Sequence, residues 1–173
     1  MGNALVTLIL VALVLVVALT LFLGSFSSLD MISTSWKNME KEMSERSRTR
    51  IGCTNTTVNG AEVKLIVDNE GQVSIADFAH WDIIVKYYDS DNDYHAKWLS
   101  YTSSAPGSNE WTVNGISFGS APEVIEPGIL NPGEEAEIVV RLDPAVAVNT
   151  TVLATVSSPN AVSSQIMFQS GDP

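Results

Sequence analysis

The chain has one cysteine, Cys53, so it can form no internal disulfide. Its two histidines, His80 and His95, are too few for a His-rich metal site. Positive charge is scarce as well: nine Lys and Arg stand against 20 Asp and Glu, a net charge of −11. A surface this acidic repels a phosphate backbone, which argues against nucleic acid as a partner. No nucleophile elbow, Gly-rich phosphate loop, CxxC pair or HExxH motif occurs. These absences remove most of the materials of catalysis, and no enzyme is expected. Only 17% of the 173 residues are charged while 45% are hydrophobic, so apolar side chains must be concentrated somewhere.

They are concentrated at the start. Ala4 to Leu23 reads ALVTLILVALVLVVALTLFL, with Thr7 and Thr20 as its only polar residues and no charge. About 20 residues is what a helix needs to cross a bilayer core. A Thr hydroxyl can bond a carbonyl of the preceding turn, so neither Thr forbids burial in lipid. Exposed to water, the large apolar side chains of this run would cost more than about 20 kcal/mol. The segment therefore belongs in lipid or among other apolar helices. A cleavable secretory peptide needs a basic leader and a shorter apolar core. Met1, Gly2 and Asn3 carry no side-chain charge and the run is too long, so that reading is rejected.

The helical pattern continues past the apolar run. Phe22, Phe26, Leu29, Ile32, Trp36, Met39 and Met43 are spaced by threes and fours, one face of a helix, with polar residues between them. Arg46, Arg48 and Arg50 suit the negative end of a helix dipole, and Gly52 is a natural stop. A single helix from Leu5 to Arg50 would be about 68 Å long, well beyond the roughly 30 Å of a bilayer core. Gly24 is its weak point, since glycine costs roughly 1 kcal/mol inside a helix. It marks either a break between anchor and stalk or a closely packed point in a continuous rod, and the rod is preferred. The expected organisation is a hydrophobic and amphipathic helix over 1–51 and a head over 52–173.

Past Gly52 the period changes to two. Strands are expected at Glu62–Val67, Trp81–Tyr87, Lys97–Tyr101, Glu110–Val113, Glu137–Leu142, Thr150–Ser157 and Ser164–Phe168. Turn signals separate them, among them Asn59-Gly60, Asn114-Gly115 and Asn131-Pro132-Gly133, the last suited to a type II turn. Short strands at this spacing imply an immunoglobulin-like antiparallel β-sandwich, and with the helix an α+β chain. No Cys…Trp…Cys pattern is present, which excludes an antibody-type domain. Residues 51–173 hold 16 acids against Lys64, Lys86, Lys97 and Arg141, a net of −12. That suits a head displayed outside a cell or at high salt.

Candidate sites in the head are few. Asp89, Asp91 and Asp93 alternate as the first ligands of a calcium loop do, because a hard cation wants several oxygens on one turn. Tyr94 and Ser100 stand where an EF-hand needs Gly and a bidentate Glu, so a solvated hairpin loop is the preferred reading and structural Ca²⁺ the alternative. No other cofactor is expected. Asn55-Thr56-Thr57 and Asn149-Thr150-Thr151 are N-glycosylation acceptor triplets.

A charge-free apolar stretch from Met1 to Ala12, an amphipathic stripe through Trp36 and Met43 and a strand-rich head from Glu62 resemble the archaellins, archaeal flagellins built on a type IV pilin plan. The likeness covers the whole chain but is one of hydropathy and length. The Glu that bacterial type IV pilins carry early in the mature helix is absent, in keeping with an archaellin. The resemblance implies a structural subunit of an extracellular filament used in motility, an open helical homopolymer. Its core would be formed by Leu5, Leu8, Val11, Ala12, Leu15, Leu19, Phe22 and Phe26. It implies transient membrane insertion before assembly, an assembly or export motor and a prepilin-type peptidase as partners. It also implies either a chain already processed or cleavage after Gly2. Two alternatives remain: a single-pass, stator-like membrane protein of the same apparatus, and an adhesive pilin.

Overall fold

The computed structural model describes residues 2–119 and 121–171, without the side chains of 25–28, 55 and 56. One helix, α1, spans Gly2–Arg48 and runs through Gly24 without interruption. The chain divides into two compact units, Met1–Met43 and Ser44–Pro173.

Among its described residues the second unit carries nine strands: β1 (Ile51–Asn59), β2 (Glu62–Asn69), β3 (Asp82–Tyr88), β4 (Tyr94–Tyr101), β5 (Glu110–Phe118), β6 (Ala121–Pro122), β7 (Glu135–Arg141), β8 (Thr151–Ser157) and β9 (Ser163–Gln169). Their spatial order is β1-β2-β7-β5-β4-β3-β8-β9, with β6 on β5. Every pairing is antiparallel except β4 with β5, a parallel seam of two residue pairs, Ser100 with Glu110 and Tyr101 with Trp111. That seam joins two antiparallel halves. Alternate residues of both halves meet in one core: Val63, Leu65 and Val67 of β2, Ile138 and Val140 of β7, Ile83, Val85 and Tyr87 of β3, and Val152, Ala154 and Val156 of β8. The dry faces of these period-two strands pack against each other, so the head is the expected immunoglobulin-like sandwich.

β1 and the two-residue β6 lie outside the expected strands, and β4 and β5 run beyond theirs, β4 by starting at Tyr94. β1 forms from IGCTNTTVN and pairs along its length with β2 through a two-residue loop, Gly60-Ala61, whose Gly60 has φ +60. Positive φ at the first loop position is what glycine permits in a hairpin. Its threonines and asparagines hid it: the stretch reads as polar, yet as an edge strand it needs few apolar residues. β5 runs on to Phe118 where a turn was expected at Asn114-Gly115, because those residues form a bulge between Val113 and Gly115. Glycine inside a strand marks such bulges as often as a turn. The Asn131-Pro132-Gly133 turn forms as expected: Gly133 has φ +84 and Glu134 N–H donates to Asn131 C=O at 3.0 Å.

The helix ends four residues before Gly52, and its last turn is built into the head. Thr49, buried, donates its hydroxyl to Glu45 C=O at 2.8 Å and accepts from Asn160 Nδ2 at 2.6 Å. Gln72 N–H donates to Arg48 C=O at 2.8 Å, and Glu70 N–H to Arg50 C=O at 2.9 Å. Gly71 makes this approach possible, since a Cβ there would lie 2.6 Å from both Arg48 O and Arg50 N. Orphan carbonyls at a helix terminus are thus satisfied by the β2–β3 connection.

Tyr87, 1% exposed, donates its hydroxyl to Pro144 C=O at 2.8 Å. Burial, with the nearby Asp143 and Asp89 charges, pushes its phenol up to about 12. The folded state holds this proton more tightly than the unfolded chain, whose phenol ionises near pH 10. The stabilisation is therefore complete below about pH 10 and is lost as pH rises toward about 12. Tyr87→Phe should cost about 1 kcal/mol at neutral pH. It should also flatten the alkaline loss of stability, read by urea denaturation from pH 8 to 12; an unchanged alkaline slope would assign that loss to other groups.

Candidate functional site

The polar atoms of the apolar run are satisfied within the helix. Thr7 Oγ1 donates to Asn3 C=O and Thr20 Oγ1 to Val17 C=O, each at 2.8 Å. With the backbone bonded internally, such a segment can sit in hydrocarbon without an unpaired group. Leu5, Leu8, Val11, Ala12, Leu15, Leu19 and Phe22 are all exposed, at 65% for Leu5 and 54% for Val11. The side chain of Phe26 lies outside the described residues. The helix is long and apolar enough to cross a membrane by length and composition. Apolar on every side, it offers no preferred face to water.

Beyond it the face narrows. Leu29, Ile32, Trp36, Met39 and Met43 are exposed along one stripe, while Thr34 and Ser35 on the remaining surface bond the carbonyls of Asp30 and Met31, both at 2.9 Å. These two regions carry the chain's largest exposed apolar surface among the described residues.

The acidic loop is a tight hairpin between β3 and β4. Asp89 is 8% exposed, and its Oδ1 accepts from Asp91 N–H at 3.0 Å and Asp93 N–H at 2.9 Å. Its Oδ2 lies 2.7 Å from His95 Nε2. The His95 bond, joined by the backbone donors of Asp93 and Asp91, holds the Asp89 carboxyl below its ordinary value. Asn92, with φ +65, closes the turn. Asp91 and Asp93 are exposed. The structure thus gives the three carboxylates different surroundings: one organises the turn and two face solvent. Among the described residues, no group of three His, Cys, Asp or Glu side chains is placed to hold a metal ion.

Asn149 is exposed in a left-handed turn between β7 and β8, with φ +57, and Thr151 is exposed beside it. That geometry leaves the triplet accessible. Asn55 lies on β1, opposite Ile66, with its side chain outside the described residues. Cys53, on β1, is partly buried, and burial raises its thiol above the ordinary value, partly offset by a bond with Ser164 of β9. A thiol so placed is a packing residue rather than a nucleophile. His80 is exposed, with Nδ1 2.8 Å from Asp77.

An immunoglobulin-like head and an apolar helix are common to several families, and the sequence itself decides among them. A model of the conserved flagellar protein F immunoglobulin-like domain matches residues 47–167. The chain belongs to this family. It is an archaellum-related protein, and the match spans the end of α1 and nearly the whole head. No curated protein matches the sequence significantly.

Solved structures show the same fold. The archaellum periplasmic stator protein FlaG from Sulfolobus acidocaldarius is 18% identical, aligning over 69% of this chain and 99% of that one with a TM-score of 0.51. The periplasmic stator complex of FlaF and FlaG from the same organism is 17% identical over 69% of this chain and 89% of that one, at 0.50. Archaeal flagellin FlaB1 from Methanocaldococcus jannaschii is 13% identical over 71% of this chain and 90% of that one, at 0.54. Stator and filament proteins thus share the sandwich, and fold alone does not separate their roles.

Proposed function

We propose that this flagellar protein F family member is a membrane-anchored, stator-like subunit of the archaellum, with α1 as its anchor and the acidic sandwich working outside the membrane. It is a structural protein without catalytic activity. The observation that carries this reading is the family match over 47–167, which falls on flagellar protein F. The apolar run supports it, since its length is that of one bilayer crossing and its two hydroxyls are internally bonded. A head with net charge −12 repels anionic headgroups, which favours a protein or envelope surface as its target.

The filament-subunit reading has its own support in the sandwich fold shared with archaeal flagellin FlaB1 and in a helix apolar on all sides. In that reading Leu5 to Phe22 pack against copies of themselves, and a motor and a prepilin-type peptidase deliver the subunit. Cell fractionation separates the two. Cells are sheared, the released appendages and the membranes are collected, and the protein is quantified in each. On the anchored reading it stays with the membranes at a small fraction of the abundance of the bulk filament protein. Recovery as the main protein of sheared fibres would overturn that reading and establish the filament role.

A further inference from the structure

Among the described residues three asparagines hold left-handed backbone: Asn92 at φ +65, Asn109 at +58 and Asn149 at +57. Asparagine tolerates that region, so turn formation alone accounts for its presence at each. Asn149 carries something more. Asn109 uses its carboxamide structurally, with Oδ1 accepting from Asp143 N–H at 3.2 Å. Only the backbone of Asn149 is engaged, its N–H donating to Ser170 C=O at 3.0 Å and its C=O accepting from Gln169 Nε2 at 3.4 Å. Its carboxamide makes no hydrogen bond among the described residues. Two residues on, Asn92 and Asn109 are followed by Tyr94 and Trp111, whereas Asn149 is followed by the exposed hydroxyl of Thr151.

The other acceptor triplet has a different setting. Asn55, Thr56 and Thr57 all lie in β1, paired in register with Ile66, Leu65 and Lys64 of β2. In an extended strand, residues two apart are separated by roughly 6.6 Å along the chain. An enzyme that reads an asparagine and the hydroxyl two residues on must wrap both. A strand paired along its length resists that, and a projecting turn permits it. We propose that Asn149 is the N-glycosylation site of the head, loaded from a lipid-phosphate-linked oligosaccharide, and that Asn55 is left unmodified.

The transfer is a substitution at the anomeric carbon of the donor sugar. The Asn149 Nδ2–carbon bond forms as the bond from that carbon to the phosphate oxygen breaks. The lipid phosphate leaves with the electron pair, and the amide proton passes to a base of the transferase. Nothing is oxidised or reduced.

The position suits a bulky, solubilising group. The last turn of α1 meets the head at the β8–β9 connection, where Thr49 bonds Asn160. Asn149 lies before the other end of β8, whose seven residues put roughly 23 Å between the two ends. A glycan there leaves the helix junction clear. It would also cover Val148, 53% exposed, and the shallow cleft that Val148 lines with Val58, Val146 and Gly171. The inference rests on the head lying outside the cell, which the anchored reading supplies and the filament reading shares.

The test is mass spectrometry of the full-length protein purified from its own cells, both intact and as glycopeptides. The natural chain should exceed 18.6 kDa by a whole glycan. Asn149→Asp, which keeps a residue tolerant of left-handed backbone, and Thr151→Val, which keeps the branched shape, should each lower the glycosylated fraction at least about tenfold. Thr151→Ser should retain the glycan, and Asn55→Gln should leave it unchanged. A natural chain of unmodified mass, a glycan that survives Asn149→Asp, or one lost with Asn55→Gln would each overturn the proposal. A membrane-impermeant amine reagent on intact cells separates that failure from one of placement. Labelling of the exposed Lys86 beside an unmodified Asn149 overturns the glycan alone, whereas an unlabelled head overturns the outside placement as well.

Discussion

Val11→Asp combined with Leu15→Asp releases the protein from the membrane and leaves the head folded. The two positions lie one turn apart on α1 and are 54% and 64% exposed. Leu, Ile, Phe and Val each favour insertion by about 0.3–0.6 kcal/mol near a helix centre, so the whole apolar run gains roughly 5–9 kcal/mol. An Asp there costs about 3 kcal/mol. One substitution would leave insertion favourable, whereas two bring it near zero and abolish stable anchoring. The expected result is loss of the membrane-bound fraction, measured by carbonate extraction, with the near-ultraviolet dichroism of the head unchanged. Retained anchoring of the double variant would mean that the run is held by protein contacts stronger than its partition into lipid. Loss of the head signal as well would mean that the two units are not independent in stability.

Trp111→Ala has the largest expected effect inside the head. Trp111 is fully buried and meets Tyr101 edge-on at a ring-centroid distance of 4.9 Å. The same two residues form half of the parallel seam between β4 and β5, and Trp111 also pairs with Val140 of β7. The side chain therefore fills the core at the point where the two halves of the sandwich join. Truncating a buried Trp or Phe to Ala costs about 3–5 kcal/mol, a large share of the roughly 5–15 kcal/mol that holds a typical domain folded. Urea denaturation should show a loss of that size. Trp111→Phe should lose less than half as much, partly because Trp111 Nε1 has no hydrogen-bond partner and its removal relieves an unpaired donor. Equal losses for the two variants would place the importance of Trp111 in its indole outline rather than in filled volume.

The helix was legible because its signal is long and unmixed. Twenty residues without charge leave only one environment open to them, and the spacing from Leu29 to Met43 extends the helical period beyond it. The sandwich was legible wherever strands alternate with one dry face, as in β2, β7 and β8. β1 was not, because an edge strand of Thr and Asn shows no alternation and is held by its ladder with β2. The bulge in β5 was read as a turn because Asn-Gly favours both, and only pairing with β7 decides between them. Asp89 and Asp91 are indistinguishable in the sequence, yet one carboxylate organises the hairpin and the other faces solvent.

Taken alone, the order of residues determined a membrane-length apolar helix, an amphipathic continuation and a β head, since hydrophobic burial and backbone periodicity are properties of local stretches. Only the tertiary structure decided how the strands pair, where the helix ends and which acid is drawn inward. Those outcomes depend on groups far apart in the chain: Thr49 with Asn160, Gly71 beneath Arg48, and Tyr101 against Trp111. Contacts between distant segments form only once the chain has closed on itself, and no local pattern carries them.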